Sequence, residues 1–270
     1  MRLRGLRLAG GLGLMLILLT AATEVPALAQ TPETPDAPRP GIHFLPRSAF
    51  HLTAEHLSGD DERFVWDTNF GGDLDLVDYG YGRLNFAANY QAILGEQFRP
   101  FDPTQGNYIL AGELTGRSHG VEVGGVFFHQ SRHLSDRPKR QPVDWNMLGA
   151  RVETRSRAGR LNVQLGGDVR GVVQKSFVDY RWEIAPDGRM EFAVREAVSV
   201  VVSGNLRWLG TDGSQGRGTQ TGARGEGGVR LTGSAAAMEL FLAVERRIDP
   251  YPLEFGTGTW AAVGFRLLSR

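Results

Sequence analysis

The chain has no cysteine. That absence excludes disulfides, thiolate metal sites and a lipid anchor on an N-terminal cysteine. An extracytoplasmic chain of this size must then be held by its hydrogen-bonded architecture. Lysine is nearly absent too: only Lys139 and Lys175 break an otherwise all-arginine basic set. Basic and acidic residues balance at 30 each, so the formal net charge is zero and there is no electrostatic footprint for nucleic acid. Beyond the N-terminus no run is apolar enough to span a bilayer as a helix, which takes about 20 residues. Helical periodicity is missing from Phe50 onward.

The N-terminus reads as an address. Arg2, Arg4 and Arg7 precede an apolar run from Leu8 to Leu19, and Ala27-Leu28-Ala29 follows before Gln30. A charged start, a short apolar middle and a small-x-small end form a secretory signal peptide over residues 1–29. Its removal takes away Arg2, Arg4, Arg7 and Glu24 and leaves a slightly acidic chain. Residues 30–47 carry Pro32, Pro35, Pro38, Pro40 and Pro46, which predicts an extended periplasmic lead-in.

From there to residue 270 the pattern has period two, the repeat of a strand with unlike faces. Phe50, Leu52 and Ala54 begin it, and Met238, Leu240, Leu242 and Val244 carry it near the end, alternating with Glu239 and Glu245. Over residues 190–208, Met190, Phe192, Val194, Val198, Val200, Val202, Leu206 and Trp208 share one parity. Glu191, Arg195, Ser199, Ser203, Asn205 and Arg207 share the other. This run reads as one long strand, preceded by a turn at Pro186-Asp187-Gly188. Short joins near 79–82, 117–119, 157–160, 185–188 and 233–235 alternate with longer ones near 94–107, 132–144, 209–223 and 248–257, and the shorter joins near 58–62 and 173–176 fall in the long-loop positions.

That alternation predicts an all-β fold, a transmembrane antiparallel up-and-down β-barrel of about 12 strands over residues 48–270, in the bacterial outer membrane. In lipid every backbone polar group needs an internal partner, so the sheet must close on itself. A soluble β-sandwich or lipocalin-like barrel is the rival; it would bury the apolar face instead. The barrel reading implies outer-membrane lipids and the barrel-insertion machinery as partners, and no nucleic acid.

One stretch puts polar chemistry on the apolar parity. Val121, Val123, Phe127, His129 and Ser131 sit two apart, as do Asn146, Leu148, Ala150 and Val152. On neighbouring strands His129, Ser131 and Asn146 would meet at the outer-leaflet edge, facing lipid. His129 could take the proton of Ser131 while Asn146 orients the imidazole. The bland alternative is a set of interfacial polar residues beside an extracellular loop.

The run HQSRHLSD, followed by Asp144-Trp145-Asn146, resembles the outer-membrane phospholipase A family, and the H-x-S pair is similar to that of lipid A deacylase barrels. The resemblance implies His129 as base, Ser131 as nucleophile and Asn146 as the orienting residue. It also implies calcium at a homodimer interface, with Asp136 of the Ser135-Asp136 pair as the metal position. Arg132-His133 stand where that family has Asn-Gly after the serine. The same run is similar to a second outer-membrane barrel family, of unassigned function, with a strand ending H-Q-S-S-H-L-G-D. The function read here is a lipid acyl hydrolase at the barrel's lipid-facing edge. The alternative is a non-enzymatic structural or narrow channel-forming barrel.

Overall fold

The computed structural model describes residues 41–135, 137–138 and 141–269. Twelve strands follow one another: β1 (His43–Leu57), β2 (Trp66–Asp78), β3 (Gly82–Gly95), β4 (Asp102–Ser118), β5 (Val121–Leu134), β6 (Asp144–Ala158), β7 (Leu161–Ser176), β8 (Tyr180–Arg195), β9 (Val198–Thr211), β10 (Gln220–Thr232), β11 (Ala236–Ile248) and β12 (Thr257–Ser269). Each pairs antiparallel with its neighbours in sequence, and β1 pairs with β12, so the sheet is a closed barrel without an edge. The expected signal peptide, Asp136 and most of the proline-rich lead-in lie outside the described residues.

The two parities sort as expected for a barrel in lipid. Phe50, Phe70, Leu114, Leu148, Val169, Leu242, Val244 and Val263 are exposed on the outside. Inside, arginines and carboxylates cross the lumen in pairs. Arg224 reaches Glu55 at 2.7 Å and Glu245 at 2.7 Å, and Arg247 reaches Asp67 at 2.7 Å. Arg151 bonds Asp168 and Asp187, each at 3.0 Å, and Glu183 is held between Arg170 and Arg207. A barrel of this width cannot be filled by short apolar side chains alone, so long charged ones span it. They are paired because an unpaired buried charge is costly.

Toward the long-loop end the lumen turns apolar. Ile109, Phe128, Trp145, Met147, Tyr180, Leu209 and Ile248 form one buried cluster, with Leu253 of the 249–256 loop packed against it. Arg132 and Gln105 hydrogen-bond backbone carbonyls of that same loop. The loop is thereby drawn over the lumen as a plug.

Two expectations are corrected. The run over residues 190–208 is not one strand: β8 ends at Arg195 and β9 starts at Val198. Phe192 pairs with Val200 and Met190 with Val202. Because paired residues across this hairpin are an even number apart, alternation passes through the turn unbroken and hides it. Pro186-Asp187-Gly188 is accordingly not a turn. It lies within β8, where Asp187 points inward to Arg151. Secondly, β1 starts at His43, inside the proline-rich segment expected to end at 47. Its pairing with β2 shifts register between Phe44 and Arg47, and Leu45 has φ of 52°. Pro46, which has no N–H to donate, falls within this irregularity.

Candidate functional site

On β5 the outward parity carries His129, Ser131 and then His133, because the strand continues to Leu134. Register sets their neighbours. His129 stands between Leu110 and Asn146, and Ser131 between Tyr108 and Asp144. Asn146 in turn faces Gln174 on β7. All of these side chains are on the lipid-facing wall.

A chain of hydrogen bonds runs across three strands. His129 Nδ1 is 2.7 Å from Asn146 Oδ1. Asn146 Nδ2 donates to Gln174 Oε1, and Gln174 Nε2 donates to Asp144 Oδ1 at 3.0 Å. Its far end fixes its direction, since an ionised carboxylate only accepts. With Asp144 accepting, Gln174 must present its oxygen to Asn146, and Asn146 its oxygen to His129. His129 Nδ1 therefore carries the proton of this bond, which leaves the Nε2 of the neutral ring with a lone pair.

Ser131 is bonded elsewhere. Its Oγ lies 2.9 Å from Nε2 of His133, whose ring meets Tyr108 edge-on at 5.5 Å. The structure thus joins His129 with Asn146, and Ser131 with His133, but forms no hydrogen bond between His129 and Ser131. Tyr108 continues through Tyr90 to Phe70 with ring centroids 5.0 and 5.2 Å apart. Aromatic rings on a barrel's outer wall are typical of the headgroup level.

Behind this patch the two strands are braced from the lumen. Arg132, between Ser131 and His133, points inward to Gln105 at 3.0 Å and the Pro250 carbonyl at 2.7 Å. Trp145, beside Asn146, packs edge-on against Tyr180, whose hydroxyl donates to Asp249 at 2.7 Å. Asp249 and Asp179 both accept from Arg217 on the 212–219 loop. Burial works against the Arg217 charge, but these two carboxylates outweigh it and hold its pKa above the ordinary arginine range.

His133, Asp144 and Gln174 escaped the sequence reading. His133 was within reach, since it continues the parity of His129 and Ser131. Gln174 was not: the β6–β7 pairing shifts register between Asn146 and Met147, so an extra residue on β7 turns Gln174 outward against its own parity.

No protein-family model matches the chain, and no curated protein matches it in sequence. Solved structures do match its fold. An outer membrane channel from Pseudomonas putida F1 superposes with a TM-score of 0.52 at 11% identity, over 88% of this chain and 98% of that one. Outer membrane phospholipase A from Escherichia coli gives 0.51 at 12% identity, over 82% and 92%. The Salmonella typhi outer membrane phospholipase, a dimer with bound calcium, gives 0.51 at 12% identity, over 82% and 90%. The chain is an outer-membrane β-barrel. In such a barrel the apolar outer wall meets acyl chains, and the His129–Ser131–Asn146 patch is polar chemistry placed on that wall.

Proposed function

We propose that this outer-membrane barrel hydrolyses lipid acyl esters at Ser131, on its outer-leaflet, lipid-facing edge. The observation that carries the reading is the His129–Asn146 bond, anchored through Gln174 to Asp144. It leaves His129 Nε2 free to accept a proton, two residues from a serine on the same face. A lipid ester reaches that height without leaving the bilayer.

In the proposed reaction Ser131 turns about χ1, leaving His133 and meeting His129 Nε2. Its Oγ attacks the ester carbonyl as its proton passes to His129, which then protonates the departing alcohol. Water hydrolyses the acyl-serine by the same route in reverse. His133, released by that rotation, keeps a ring N–H beside the carbonyl and donates to the developing oxyanion. It would fill the part of the glycine amide that the phospholipase resemblance calls for and Arg132-His133 replace.

Among the described residues no group of three or more His, Asp or Glu could hold a metal ion. Among the described residues Asp144 is the carboxylate that stands opposite Ser131, one of its oxygens taken by Gln174. These residues do not fit a calcium site. A conducting channel is disfavoured by the apolar cluster and the loop drawn over the outer end of the lumen.

The test is phospholipid hydrolysis by refolded protein in mixed micelles, against Ser131→Ala, with calcium or with chelator, and with the oligomeric state measured in each condition. Hydrolysis that disappears in the variant supports the proposal; equal rates remove Ser131 from the reaction. A calcium-dependent rate would place a metal ligand among residues outside those described, Asp136 first.

A further inference from the structure

We infer that the lumen contains a binding site for a small organic ammonium ion, with Glu113 as its counter-charge. Strand pairing lays the site out. Ile109, Ala111 and Glu113 follow one another on the inward face of β4, and Gln130, Phe128 and Val126 stand opposite them on β5. All six line a lumenal cavity of about 190 Å³.

Glu113 is exceptional there. The other carboxylates on the cavity wall are committed: Glu55 and Glu245 to Arg224, Asp67 to Arg247, Asp168 and Asp187 to Arg151, and Glu226 to Arg266. Glu113 makes no hydrogen bond and no ion pair among the described residues. The cations that could reach it are held elsewhere. Arg151 is bound as above, Arg83 bonds Asp75 and Glu122, and Arg170 shares Glu183 with Arg207. The amide of Gln130, at the far end of the patch, is likewise without a hydrogen-bond partner among the described residues.

Arg151 and Arg83 act on Glu113 across the lumen without bonding it, so a carboxylate beside apolar side chains is left with no hydrogen-bonded partner for its charge. An ammonium head supplies it. The apolar step from Ala111 and Val126 to Ile109 and Phe128 then takes the body of the ligand. An engineered cavity of about 150 Å³ accepts benzene, and the lumenal cavity as a whole, about 190 Å³, has room for one body of that size. An anion would meet Glu113 as a like charge, and a neutral analogue would leave it unpaired. The site lies on the lumen side of the wall and does not depend on the hydrolase reading.

The experiment is calorimetric titration of the refolded full chain in zwitterionic detergent with benzylammonium, benzyl alcohol and benzoate at neutral pH. The expected result is saturable binding of benzylammonium alone, at least ~10-fold weaker in Glu113→Gln. Ala111→Leu, which fills the cavity without touching the charge, should weaken it as well and stands in if Glu113→Gln does not fold. Equal affinity in both variants, equal binding of benzyl alcohol, or no saturable heat from folded wild type would each overturn the inference.

Discussion

Ser131 Oγ lies 2.9 Å from His133 Nε2, while His129, two residues before it on the same face, is bonded to Asn146 at 2.7 Å. One serine thus has a histidine on either side. They differ in what holds them: His129 is oriented by an amide chain that ends at Asp144, and His133 leans on Tyr108. In the proposed hydrolysis that difference gives His129 the base role and His133 the donor role.

If the proposed hydrolysis holds, His129→Ala should cost at least ~10³-fold in its rate, as loss of a catalytic base does in serine hydrolases. Asn146→Ala should cost about 10²-fold, and Gln174→Ala less, because each removes orientation and not the base itself. The rates of the three variants on one micellar substrate check the order. A Gln174 variant as dead as His129→Ala would break the proposed hierarchy.

His133→Ala should lower kcat by about 10²-fold with KM little changed, the mark of a donor used in the transition state. His133→Gln, which keeps an N–H donor, should recover part of that loss. If His133→Ala abolishes hydrolysis while His129→Ala retains it, the base assignment is reversed.

The plug predicts that wild-type protein gives no conductance steps in planar bilayers. Arg217→Ala removes the ion pairs that tie Asp249 at 2.6 Å and Asp179 at 2.6 Å. Breaking a buried pair leaves the partners uncompensated, so the 249–256 loop should become protease-sensitive and conductance should appear. Silent bilayers together with an intact loop would place the closure elsewhere, in the apolar cluster.

Acid should loosen the 58–65 loop. The Arg63 side chain, bonded to Asp61 at 2.8 Å, holds that carboxyl below the usual range, outweighing a smaller upward push from burial, and the Arg63 backbone N–H adds to the lowering. A depressed folded pKa contributes stability above the unfolded value of about 3.9 that fades as pH falls through the folded one. Protection of amides in this loop against exchange, relative to their intrinsic rates, should fall below about pH 4, and Asp61→Asn should reduce that dependence, leaving the part carried by Glu254, which also pairs with Arg63.

The barrel was legible because a closed sheet in lipid imposes one rule on every strand: apolar residues outward, polar inward, alternating. That rule gives the strand class and the outward placement of His129, Ser131 and Asn146 directly from parity; the count of about 12 comes from the joins, with the one near 185–188 standing in for the hairpin after Arg195. Parity failed at two kinds of place. It ran straight through the β8–β9 hairpin, where Phe192 and Val200 pair with an even separation. It also mislaid Gln174, which the irregularity opposite Asn146 turns outward.

The amino-acid order alone determined the period of two, and with it which strand residues share a side of the wall wherever no bulge intervenes, because that depends only on neighbours along the chain. Which histidine holds Ser131, which amide orients His129, and which lumenal carboxylate goes unpaired were decided by the tertiary structure. Those contacts cross between strands, and their partners depend on register and on bulges that shift it by one residue, which no local pattern records.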